Sequence, residues 1–99
     1  MSADDYRQAR RATGIIRALR GTTFTGVSNR DIAEALGESA SNVTRMLQVL
    51  IDEGFVQRID AKRYTLGIAL LQIAQAHADE TARLTARIEE TNQRLTKGD

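Results

Sequence analysis

Apolar positions along the chain pass from helical spacing to strand-like runs and back, and each stretch predicts an element. Ala9, Ala12, Ile15, Ile16 and Leu19 share one helix face, which predicts a helix over Tyr6–Arg20 that Gly21 stops. Ile32, Ala33 and Leu36 make a shorter stripe between Ser28 and Gly37. Val43, Met46, Leu47, Leu50 and Ile51 follow the i, i+3, i+4, i+7, i+8 pattern of a third helix, which begins near Ala40 and ends at Gly54. Phe55, Val56 and Ile59, then Tyr64 and Leu66, are mostly β-branched or aromatic. They predict a hairpin turning at Asp60-Ala61-Lys62. From Ile68 to about Thr96 there is no Gly or Pro, which predicts one long helix.

The boundaries have local causes. The Ser28 hydroxyl is placed to accept from the third amide of its helix, and Asp31 to reach back as in a capping box. Gly37 suits the left-handed residue after a helix end, and Ser39 can cap the next helix. Two short helices joined by a tight turn, the second with a polar face, form a unit suited to placing one helix in a DNA groove. The expected fold is mainly α: a winged helix-turn-helix of three helices plus a two-stranded β-wing over residues 1–67, then a long helix over 68–99.

Opposite the apolar stripe of the third helix lie Ser41, Asn42, Thr44, Arg45 and Gln48. All can donate hydrogen bonds and none is acidic. Arg can grip guanine O6 and N7 together, and Asn or Gln can grip adenine N6 and N7, so these five are the candidate base-reading residues. Ser39 and the free amides at that helix start can hold a phosphate. For any one of these residues, a merely soluble surface is the competing account.

The net charge of +1 decides little, because position matters more than total. Between Tyr6 and Arg20 there are five arginines and no acid. Four of them, Arg7, Arg10, Arg11 and Arg17, are expected opposite the apolar face. A solvated helix face usually mixes charge signs, so the one-sided stretch points towards phosphates. Asn29 and Arg30, at the start of the second helix, are further candidates for backbone contacts. In the wing, Arg58, Lys62 and Arg63 can touch the backbone or the minor groove. Edge-strand charges that discourage aggregation would look the same.

At this point the order of elements and several strings resemble the N-terminal domain of the isocitrate lyase regulator (IclR) family. The matching strings are Ser41-Asn42-Val43-Thr44-Arg45-Met46-Leu47-Gln48-Val49-Leu50, Glu53-Gly54-Phe55-Val56 and Arg63-Tyr64-Thr65-Leu66-Gly67. Family members show Arg-Leu-Leu-x-x-Leu in the recognition helix, Glu-Gly-Tyr/Phe-Val entering the wing and Tyr-x-Leu-Gly leaving it. The resemblance spans roughly Ala12–Ala74, with Met46 where Leu is usual. It implies a DNA-binding transcription regulator. The family's large effector-binding domain has no counterpart in the thirty or so residues after the wing, so no small-molecule effector is expected.

In the long helix, Leu70, Ala74, His77, Thr81, Leu84, Ile88, Thr91 and Leu95 follow a four-three spacing, the mark of a coiled-coil seam. Ala74, Ala78, Ala82 and Ala86 form a second stripe that admits a close neighbour. The expectation is a dimer or higher oligomer joined through Leu70, Ala74, His77, Leu84, Ile88 and Leu95, with a frayed solvated tail as the competing account.

Other classes find little support. The chain has no Cys, which excludes disulfides and thiolate zinc sites, and its one histidine, His77, with Glu80 gives too few metal ligands. The Thr22–Gly26 loop lacks the ending of a phosphate loop. No nucleophile–base or carboxylate pair stands out, so no enzyme, cofactor or metal is expected. No apolar run approaches the ~18 residues of a membrane span, and the N-terminus lacks a signal peptide's apolar core, so a bacterial or phage cytoplasmic protein is expected. The expected partners are double-stranded DNA and a second copy of the chain. A DNA-organising role in phage transposition, replication or nucleoid packing, or a protein-interaction module, are the alternatives.

Overall fold

The computed structural model describes residues 2–98. The elements run α1 (Ala3–Ala18), β1 (Val27–Ser28), α2 (Asn29–Leu36), α3 (Ala40–Asp52), β2 (Val56–Arg58), β3 (Arg63–Leu66) and α4 (Ile68–Thr96). This is the winged helix-turn-helix that the apolar periods predict, with two differences.

The first difference is upstream. α1 begins at Ala3 rather than Tyr6, because Ser2 and Asp5 close a capping box. The Ser2 amide donates to the Asp5 carboxylate at 3.0 Å, and the Asp5 amide donates to the Ser2 hydroxyl at 3.4 Å. An acid in the first turn is also favoured by the helix dipole. At α2 only half of the expected box is made: the Asp31 amide donates to the Ser28 hydroxyl at 3.1 Å. Ser28 is itself the last residue of β1, opposite Arg63.

That strand is the second difference. The sheet has three antiparallel strands in the order β1-β3-β2, not two. β1 pairs Val27 with Tyr64 and Ser28 with Arg63, while β2 pairs Val56 with Leu66 and Arg58 with Tyr64. A two-residue strand has no alternation to read, so only the fold reveals it. Its approach is fixed by Thr65, whose buried hydroxyl donates to the carbonyls of Thr22 and Thr23 at 3.3 and 3.1 Å.

The core draws on every element before α4. Ile15 comes from α1 and Leu19 from its C-cap, Ile32 and Ala33 from α2, and Val43, Leu47 and Leu50 from α3; Val56 and Tyr64 come from the wing, and the half-buried Val27 of β1 packs against the cluster. Each fully buried Leu or Ile contributes about 1.5–3 kcal/mol of transfer free energy. Gly14 lets α1 and α2 approach closely, since a Cβ there would lie 2.8 Å from Leu36 Cδ2.

α4 behaves differently. Ala69, Leu70 and Leu71 are half-buried against the body, and every described residue from Gln72 onward is exposed. At about 1.5 Å per residue the helix is roughly 43 Å long, and it draws the molecule out to 65 × 35 × 22 Å.

Candidate nucleic-acid interface

Two caps, one of them a glycine, set the position of α3. Gly37 takes φ +65° after α2, and the Ser39 hydroxyl accepts from the Asn42 amide at 3.2 Å. Val43, Leu47 and Leu50 then anchor one side in the core, which leaves Ser41, Thr44, Arg45 and Gln48 exposed and Asn42 half-exposed.

These side chains are pre-arranged by short-range bonds. Arg45 Nη2 donates to Asn42 Oδ1 at 2.5 Å, and Gln48 Nε2 donates to Asp52 Oδ1 at 2.9 Å. The Thr44 hydroxyl donates to the Ala40 carbonyl at 2.9 Å and accepts from Asn29 Nδ2. Asn29 therefore ties the start of α2 to the middle of α3, and its Oδ1 is buried without a partner. Ser39 and Ser41 hydroxyls lie 3.4 Å apart at the helix start.

The arginines of α1 do not all share one face. At about 100° per residue, Arg11 lies within about 40° of Ile15. It sits on the buried side, and its side chain is only 9% exposed. Its guanidinium donates to Gln8 Oε1 at 3.1 Å and pairs with Glu38 at 3.1 Å, bridging α1 to the α2–α3 turn. Arg11 is the main reason the Glu38 carboxyl is held below its ordinary range, with burial opposing and Asn42 and Arg7 assisting. Arg7, Arg10 and Arg17 are exposed on α1.

The wing divides its cations in the same way. Arg63 Nε and Nη2 grip Asp60 Oδ2 at 2.9 and 2.8 Å, and Nη1 donates to the Thr25 carbonyl at 2.8 Å. Arg63 thus binds the wing turn to the α1–β1 loop. Asp60 also accepts from the Lys62 and Arg63 amides, both at 2.9 Å. The Lys62 amide, then the Arg63 side chain, keep its carboxyl below the ordinary carboxylate range. Lys62 is exposed, and the exposed Arg58 lies over the Tyr64 ring, 5.0 Å from its centroid. Arg30 is exposed beside Glu34, at 3.7 Å.

Two features of this surface go beyond the five polar residues that the sequence singles out on α3. Val49 is 52% exposed on α3 and forms a groove with Gln8, Arg11, Asn42, Arg45 and Met46. Asp52 adds an acid one turn beyond Gln48, so the polar face of α3 is not wholly free of acids. The helix wheel contains both, with Val49 one turn after Arg45 and Asp52 two turns after it. No described helix is long and apolar enough to cross a membrane.

The seam residues of α4 divide by distance from the body. Leu70 is half-buried near it, while Ala74, His77, Leu84, Ile88 and Leu95 are exposed along the projecting part of the helix.

Known proteins share this architecture. Among curated proteins, none matches the chain. Among solved structures, Pseudomonas aeruginosa HmgR is 34% identical with a TM-score of 0.66, over 80% of this chain and 34% of that one. An IclR transcriptional regulator from Alicyclobacillus acidocaldarius is 29% identical with a TM-score of 0.63, over 74% of this chain and 30% of that one. The chain thus spans about a third of the length of these relatives. Staphylococcus aureus MepR, a transcription regulator, shares the fold at 19% identity and a TM-score of 0.53, over 95% of this chain and 86% of that one. The IclR helix-turn-helix domain model matches residues 8–60, from the middle of α1 to the wing turn, and the chain belongs to that family.

Proposed function

We propose that this chain is a sequence-specific double-stranded DNA-binding protein that regulates transcription as a dimer. The observation that carries this reading is α3: one side is locked into the core, and the other presents Ser41, Arg45 and Gln48 to solvent in a family of helix-turn-helix domains. Arg45 has the donors to grip guanine in the major groove, and Gln48 the donor and acceptor to grip adenine. Asn42 and Thr44 flank them and are held by Arg45 and Asn29.

Phosphate contacts fall to the exposed cations around that helix. Arg7, Arg10 and Arg17 on α1, Arg30 on α2, and Arg58 and Lys62 on the wing supply the charge, while Ser39 and Asn29 lie at helix starts. Arg11 and Arg63 serve the same surface indirectly, because each fixes a part of the frame that carries it. Residues 1–67 form the DNA-binding unit, and 68–99 the helix through which copies associate.

The deciding experiment is selection of bound sequences from random DNA. A shared motif carrying two half-sites supports the reading. Salt-sensitive binding with no sequence preference would replace it with DNA organisation. Absence of DNA binding would leave a protein-interaction module.

A further inference from the structure

We infer that α4 docks on α4 of a second copy of this chain as an antiparallel pair, in one register fixed by charge. The inference rests on the self-association reading and adds orientation and register to it. Beyond Leu71 the helix is exposed along its whole described length, including Leu84 at 52%, Ile88 at 62% and Leu95 at 70%. Among the described residues, no other element covers this face.

The four-three spacing assigns core and flank positions. Leu70, His77, Leu84 and Thr91 take one core position, and Ala74, Thr81, Ile88 and Leu95 the other. The flank next to the second set carries Ile73, Glu80, Arg87 and Arg94; the opposite flank carries Leu71, Ala78, Thr85 and Asn92. Flank charges decide orientation in such pairs. Among the described residues, neither Glu80 nor Arg87 has an ion-pair partner within the chain.

In a parallel pair each flank meets the opposite one. Glu80 would then face Thr85 of the second copy and Arg87 would face Asn92, with no charge satisfied. In an antiparallel pair like flanks meet. With full overlap, Leu70 lies opposite Leu95 of the second copy and Thr81 opposite Leu84. Glu80 then lies beside Arg87 of the second copy, twice by symmetry, and the Arg94 stem covers Ile73. Sliding by one heptad in one direction sets Arg87 against Arg87 and offers Glu80 only Arg94, which Glu90 of its own chain already holds at 2.9 Å; sliding in the other sets Glu80 against Glu80. Full overlap is therefore the one of these three registers in which the flanks bring opposite charges together and no like charges.

The chain has no cysteine, which makes disulfide mapping on the full chain direct. In the antiparallel register Ala74 of one copy lies opposite Thr91 of the other. Mixed and oxidised, Ala74→Cys and Thr91→Cys chains of different tagged mass should form the heterodimeric disulfide, and neither variant alone should cross-link. Homodimeric disulfides from either variant alone would show a parallel pair and overturn the inference. A dimer that cross-links in none of the three samples would overturn it as well. Glu80→Arg should raise the dimer dissociation constant about tenfold, and adding Arg87→Glu should restore it. Failure of that rescue in a dimer refutes the register. A wild-type chain that sediments as a monomer at tens of micromolar refutes self-association itself, a result separate from the others.

Discussion

Replacing Gly67 by Ala should weaken the fold more than any other single methyl added at a glycine. Gly67 lies between β3 and α4 with an ordinary φ of −87°, so the reason is space rather than backbone strain. A Cβ there would lie 2.3 Å from the Gly54 carbonyl oxygen and 2.7 Å from the Val56 amide nitrogen. Carbon–oxygen contacts settle at about 3.3–3.6 Å, so one backbone must retreat by about 1 Å. That movement strains two bonds at the junction: Gly67 N–H to the Phe55 carbonyl at 2.9 Å and Ala69 N–H to the Gly54 carbonyl at 3.0 Å. Overpacking costs about 1–3 kcal/mol, and partial loss of each bond adds up to about 1 kcal/mol. The reduced entropy of the unfolded chain returns about 0.4–1 kcal/mol. The net loss is about 2 kcal/mol, a fall of roughly 10 °C in Tm for a domain of this size. Thermal and urea unfolding followed by circular dichroism will measure it, with Gly21→Ala as control. At Gly21 a Cβ meets nothing within 4 Å, and only φ +74° opposes it, so the loss should be about 1–2 kcal/mol. A Gly67→Ala chain within about 0.5 kcal/mol of wild type, the range of an ordinary surface substitution, would refute the packing argument.

Four further outcomes are expected. Arg45→Ala should cost about 1–3 kcal/mol on the selected site and much less on random DNA, measured by fluorescence anisotropy; equal losses would make Arg45 a phosphate contact. Arg7→Ala, Arg10→Ala and Arg17→Ala together should weaken binding to all sequences alike, and the slope of log affinity against log salt should fall by up to ~0.9 for each phosphate no longer neutralised. Glu38→Gln should lower Tm at neutral pH. The carboxyl is held below its ordinary 4.5 in the folded chain, so its stabilisation is present above that value and is lost as pH falls through the lowered one; the gap between variant and wild type should narrow steadily as a pH series of melts is taken below that ordinary value. Leu84→Asp with Ile88→Asp should leave the winged helix folded and yield a monomer by sedimentation, because unpaired charge in a buried contact is costly.

The elements before α4 are legible in the sequence because each has its own period and punctuation. Gly37, Ser39 and Gly54 bound α3 where the sequence puts its ends, since caps act within one turn. β1 is not legible, because two residues carry no alternation and their pairing with β3 comes from the Thr65 bonds to a distant loop. The start of α1 escapes for a different reason. Asp5 belongs to an acidic run that suggests a solvated end, although its spacing from Ser2 is that of a capping box. Arg11 is the most instructive residue. Its charge suggests solvent, but its phase places it one turn before Ile15, where a buried arginine is tolerable only because Glu38 arrives from another element. Composition cannot show that partner, as it depends on how α2 turns into α3.

The division of arginines into internal ties and exposed cations gives the surface its logic. Arg63 holds the wing turn and the α1–β1 loop together, and Arg11 holds α1 to the turn that leads into α3. Because both are committed within the fold, the exposed cations project from a frame that need not reorganise when a polyanion arrives. A frame fixed in advance lowers the ordering cost of binding. The same reasoning extends to α4. Its first turn is locked to the body by Gly67 and by the Ala69 amide on the Gly54 carbonyl, so the helix leaves in a set direction. Two such helices paired over Leu70–Leu95 would hold two recognition helices at a fixed separation. The exits from the two bodies would stand about 37 Å apart along the pair, close to the roughly 34–36 Å of one DNA turn. Rigid linkage at a matching span raises the effective concentration of the second half-site. A winged helix paired in this way would gain affinity from the stiffness of its tail, with no additional contact to DNA.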